Sequence, residues 1–77
     1  MKIKEHDCVV LTRDLPDENL KAGDVGAVVH IHKAVAAYEV EFVTFTGRTI
    51  AVATVEASQL RPVGKRDISH VRELVIA

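Results

Sequence analysis

Lys21-Ala22-Gly23-Asp24-Val25-Gly26-Ala27-Val28-Val29 is a polar turn that runs straight into an apolar, β-branched stretch, and it holds two of the chain's four glycines. Glycine reaches positive φ at little steric cost, so Gly23-Asp24 ahead of such a stretch predicts a sharp reversal that launches a strand at a fixed place. The segment holds neither a nucleophile nor a phosphate-cradling pattern, so it constrains the fold and leaves the chemistry open.

A chain of 77 residues has room for one domain with a thin core, roughly 60% of the unfolded surface being buried at this size. Deep pockets are not expected of it. Disulfides, a metal or a second subunit commonly supplement so small a core, and the single cysteine, Cys8, excludes an intrachain disulfide. That shifts weight towards a protein partner or a homodimer. The start, Met1-Lys2-Ile3-Lys4-Glu5-His6-Asp7, lacks the apolar run of a secretory signal, and no stretch approaches the roughly 18 apolar residues of a membrane span. The expected location is cytoplasmic and reducing. Nucleic-acid binders draw much of their affinity from neutralised phosphates and show a basic excess, whereas the net charge here is −1.

Cys8 to Arg13 reads as a first strand, and Asp14 to Asp24 as a long exposed loop from which Leu15 and Leu20 tuck back onto the core. A second strand runs from Val25 to Lys33 and breaks at Ala34-Val35-Ala36. In the third, Ala37 to Thr44, Tyr38, Val40 and Phe42 alternate with Glu39 and Glu41, so one face is core and the other wet. Thr46-Gly47-Arg48 supplies a hairpin turn into a fourth strand, Arg48 to Val55, where Ile50 and Val52 alternate with Thr49, Ala51 and Ala53. Glu56 to Gln59 fits one 3₁₀ turn, and Leu60-Arg61-Pro62-Val63 closes the sheet with Pro62 at an edge or strand end. The expected fold is mainly β: a small SH3-like five-stranded barrel over residues 1–64. Residues 65–77 form a C-terminal extension in which apolar positions 68, 71 and 74 or 75 have helical spacing. A C-terminal helix is expected there, with an extra strand through Leu74-Val75-Ile76 as the alternative, packed on the barrel or on a partner.

The blocks Val9 to Pro16, Leu20 to His30, Ala37 to Val43 and Leu60 to Val63, taken in order, resemble a family of small prokaryotic proteins known as domain of unknown function four-nine-two-six. The resemblance spans residues 7–63 and implies a small SH3-like barrel. It carries over no activity and no site residue. The Gly23 to Ile31 segment also resembles the KOW motif of ribosomal proteins and transcription factors.

His30 and His32, two apart on a strand, could present two imidazoles to Zn²⁺ or Cu²⁺, yet Cys8, His6 and His70 stand at no ligand spacing, so a solvated strand face is the plainer reading and no metal or cofactor is expected. Cys8 at the start of an apolar strand reads as a small buried hydrophobe. Asp14, Asp17, Glu18 and Asp24 make the first loop acidic, which is a solubilising surface or an attraction to a basic partner. Polyproline recognition needs a row of exposed aromatics, and with two Phe, one Tyr and no Trp only Phe45 beside the hairpin turn is a good anchor. Lys65, Arg66 and Arg72 form a basic cluster too small for strong nucleic-acid binding. No catalytic constellation is present, so the expectation is a non-enzymatic interaction or regulatory module, such as an antitoxin-like or accessory subunit. Its partner-binding residues are Phe45 and Arg48 at the hairpin and Ile68, Val71 and Leu74 in the tail. A KOW-like nucleic-acid binder is the alternative.

Overall fold

The computed structural model describes residues 2–75. Five strands, β1 (Cys8–Leu11), β2 (Val25–His32), β3 (Ala37–Val43), β4 (Thr49–Glu56) and β5 (Leu60–Pro62), form one antiparallel sheet in the order β4-β3-β2-β1-β5. Short 3₁₀ turns occupy Pro16–Glu18 and Ala57–Gln59. The expected strands and the turn before the last of them are present, but the expected closed barrel is not. β4 and β5 are the two edges of an open sheet. β5 is three residues long, has its one ladder with β1 and ends on Pro62, which has no N–H to donate.

The inner face carries the core. Val9, Leu11, Val28, Val40, Phe42, Ala53, Val55 and Leu60 point into it from all five strands, with Ile3 and Leu20 beside them. Tyr38, Val40 and Phe42 share this face as their alternation predicts. In β4 the inward set is Ala51, Ala53 and Val55, and Ile50 and Val52 face away. Register decides this: Phe42 is opposite Ala51, Val40 opposite Ala53 and Tyr38 opposite Val55, so the bulky side chains of β3 are met by small ones. Cys8 is exposed, not buried, because Val9 takes the inward position beside it.

The first loop is more ordered than its composition suggests. Leu15 and Leu20 exchange backbone hydrogen bonds of 2.9 and 3.1 Å, which folds Leu20 into the core. Gly23, at φ 95°, donates its N–H to the Leu11 carbonyl (2.8 Å), and the Leu11 N–H returns to the Asp24 carbonyl (2.9 Å). This is the sharp reversal expected ahead of β2. Within β2 the ladder to β3 shifts between Val28 and His30, leaving Val29 as an unpaired extra residue.

The tail is the main correction. Residues 65–75 contain no helix and no sixth strand; Ile76 and Ala77 lie outside the described residues. Asp67 accepts the Gly64 N–H (2.6 Å) and a bidentate pair from Arg61 (2.8 and 2.9 Å), folding the segment into a turn against β5. The Arg61 guanidinium and the Gly64 N–H hold the Asp67 carboxyl down at about 2. Beyond the turn Arg72 and Leu74 are half-buried while Val71, Glu73 and Val75 are exposed. That period of two belongs to extended chain. An isolated helix of this length is marginal in water, and here anchors at both ends of the segment hold it open.

Candidate functional site

The tail crosses the molecule to the first loop. Asp24 accepts the Lys21 N–H at Oδ2 (2.8 Å), and Asp14 accepts the Ala22 N–H (2.8 Å), so both acidic side chains brace the loop from within. Arg72 then docks on Asp24 with two hydrogen bonds, Nε to Oδ1 at 2.7 Å and Nη2 to Oδ2 at 2.5 Å. Nη2 also reaches the carbonyl of Asn19 at 3.4 Å. Asn19 ends the 3₁₀ turn in the left-handed region, φ 57°. Planar guanidinium on carboxylate in this fork arrangement fixes direction as well as distance.

Two residues on, Leu74 and its neighbour Val75 line one open cavity together with Pro16 and Asn19 of the loop and Thr44, Arg48, Thr49 and Ile50 of the β3–β4 hairpin. The hairpin is held by reciprocal bonds: Thr44 N–H to the Arg48 carbonyl (2.9 Å) and Arg48 N–H to Thr44 Oγ1 (3.1 Å). The result is an open groove with Pro16 and Ile50 in its apolar lining and the chain's own C-terminal segment as one wall, held in place by the Arg72–Asp24 pair just before it.

Of the residues singled out from sequence, Arg48 and Leu74 come together in this groove. Phe45 projects from the hairpin tip, 85% exposed. Ile68 and Val71, 91% and 69% exposed, lie on the stretch of tail before the groove. Asp24 and Arg72 stand out in the sequence only as members of the acidic loop and of the basic cluster, not as a pair, and Asn19 does not stand out at all. The signal for Arg72 and Asp24 was charge complementarity between a basic tail and an acidic loop, but their separation of 48 residues hides the pairing.

Burial pushes the Asp24 carboxyl up, and the Arg72 hydrogen bonds, the Lys21 N–H and the nearby positive charges outweigh it, so Asp24 lies below the usual carboxylate range. A depressed carboxylate stabilises the folded, tail-docked state above its unfolded value of 3.8 and loses that contribution as pH falls through the lower folded value. The tail is therefore expected to stay docked at neutral pH and to release below about pH 4. The Arg72 Nε–H resonance, followed through an acid titration, should shift to its free-arginine position only in that window, and a release centred near pH 6 would contradict the pairing.

On the outer face of β2, the rings of His30 and His32 sit edge to face with centroids 4.8 Å apart, and His32 Nε2 contacts the Glu39 carboxylate. The His32 hydrogen bond first, and the Thr54 hydroxyl second, hold Glu39 below its ordinary value. Among the described residues no group of three or more His, Cys, Asp or Glu is arranged to hold a metal ion. Among them, too, no helix is long and apolar enough to cross a membrane.

The family model described as Domain of unknown function (DUF4926) matches residues 5–62, and the chain belongs to that family. The match ends at the last residue of β5, so the tail that walls the groove lies beyond it. No curated protein and no solved structure matches the chain.

Proposed function

We propose that this member of the DUF4926 family is a non-enzymatic protein-interaction module, an accessory or antitoxin-like subunit, whose groove between the first loop and the β3–β4 hairpin takes an extended segment of a protein partner. The observation that carries the reading is the chain's own tail, pinned beside the groove through Arg72 on Asp24, with Leu74 and Val75 forming part of the groove's lining. The segment recognised has the same chemistry: an arginine two residues ahead of an aliphatic side chain. In this reading the open sheet is an SH3-like half-barrel, and the acidic loop serves the guanidinium rather than a polyproline helix, consistent with Phe45 standing alone as an exposed aromatic. A charge-assisted pair at the surface contributes up to about 1 kcal/mol, so the tail is held lightly enough for a competing segment to replace it.

The test uses the full chain. Arg72→Glu sets a like charge beside Asp24 and releases the tail. A fluorescent peptide of residues 65–77 should then bind the Arg72→Glu chain about 5-fold more tightly than the unaltered chain, by anisotropy. Adding Asp24→Asn to that variant should abolish the gain. A peptide that ignores the Arg72→Glu chain, or binds equally without the Asp24 carboxylate, would remove this groove as the binding surface.

A further inference from the structure

The two edges of the sheet are guarded very differently. β5 is three residues long and carries Arg61 and Pro62, the short, charged and proline-bearing design that blocks pairing with another chain. β4 runs for eight residues, Thr-Ile-Ala-Val-Ala-Thr-Val-Glu, without charge or proline until Glu56. The Ala57 N–H donates to the Ala36 carbonyl (2.9 Å), and the register continues from it through Val55–Tyr38, Ala53–Val40 and Ala51–Phe42. Because hydrogen-bonded pairs alternate in an antiparallel ladder, Ala51, Ala53 and Val55 turn their backbone groups to β3. Val52 and Thr54 turn theirs outward. Among the described residues no backbone group bonds to them from that side. Among the described residues the tail shares a cavity lining with the start of the strand, at Thr49 and Ile50.

We propose that a second copy of this chain pairs here, β4 against β4 in antiparallel sense about a twofold axis at Ala53. The segment is its own complement. The axis sets Val52 opposite Thr54 of the other copy, and the two residues exchange N–H···O=C bonds in both directions, about four across the axis. Ala53 meets Ala53 at the close, non-hydrogen-bonded position, where a small side chain fits, and Ala51 meets Val55. No like charges meet anywhere between Ala51 and Val55. On the outer face Val52, 54% exposed in the single chain, is covered by a β-branched neighbour. Pairing gives a thin-cored domain of 77 residues a continuous ten-stranded sheet, the kind of supplement that a chain without a disulfide lacks. The inference is independent of the peptide groove, since Val52, Ala53 and Thr54 do not line it.

Sedimentation of the full chain from about 5 μM to about 0.5 mM should show a dimer at the upper end of the range. Amide exchange identifies the surface: the Val52 and Thr54 N–H groups, free in the monomer, should slow by about 10-fold or more in the dimer and recover on dilution. Val52→Lys, at an exposed position, should leave the melting curve of the monomer in place and abolish dimerisation. A chain that stays monomeric throughout overturns the proposal. So does a dimer in which these two amides exchange as freely as in the monomer, a readout that needs no variant and that separates edge pairing from association through the tail.

Discussion

Gly26→Ala is expected to destabilise the fold by about 3 kcal/mol, the upper end of what one added methyl costs in a packed interior. A Cβ at Gly26 would lie 2.5 Å from Val40 Cγ1, 2.8 Å from the Glu41 carbonyl oxygen and 2.9 Å from Phe42 Cε1. The Val40 methyl and the Phe42 ring are core atoms with neighbours behind them, and the Glu41 oxygen is backbone in the β2–β3 ladder, where Ala27 is opposite Glu41. None can retreat without disturbing its own packing or pairing. For a domain of this size each kcal/mol moves the melting temperature by about 4–8 °C, so thermal unfolding should drop by about 12–24 °C. Gly23→Ala is the contrast. Its Cβ would meet nothing within 4 Å, leaving only the strain of φ 95°, about 1–2 kcal/mol. Equal melting of the two variants would mean that β2 and β3 are not in the close contact described.

Leu11→Ala should cost about 2–5 kcal/mol. Leu11 is the largest of the fully enclosed side chains, 2% exposed, and sits where β1 is opposite Leu60 of β5. Its backbone bonds to Gly23 and Asp24 survive the substitution, so the loss is confined to the cavity and the missing contacts. Total stability for 77 residues is about 4–12 kcal/mol, and the variant consumes a large share of it. Urea unfolding should show a lower midpoint at unchanged slope. A shift of less than about 1 kcal/mol would place Leu11 outside the core.

The five strands, the glycine reversal before β2 and the inward face of β3 were all legible in the residue order, because each is written locally: in turn chemistry, in a period of two, in the position of a proline. The same local rule does not assign the inward face of β4. Ile50 and Val52 are the more apolar alternate set there, yet Ala51, Ala53 and Val55 face the core, since what β4 must match is the bulk of Phe42, Val40 and Tyr38 across the ladder. Cys8 is misread for a similar reason, its neighbour Val9 having the inward place.

The tail shows where local pattern stops being informative. Positions 68, 71 and 74 satisfy a helix, but periodicity describes only which residues could share a face. It does not supply a surface for that face to pack on. Asp67 is drawn to Arg61 and Gly64, Arg72 to Asp24, and the segment between these anchors is extended. The candidate site was half visible for the same reason: Arg48 and Leu74 stand out as a hairpin cation and a tail aliphatic, whereas Asp24 reads as one acidic loop residue among four. The sequence by itself determined a mainly β domain with a strand order paced by its turns, because turns and alternation are properties of neighbours along the chain. Only the tertiary structure decided that the sheet stays open, which face of β4 is buried and what the tail binds. Those depend on residues up to 48 positions apart meeting in space, and no spacing along the chain encodes that meeting.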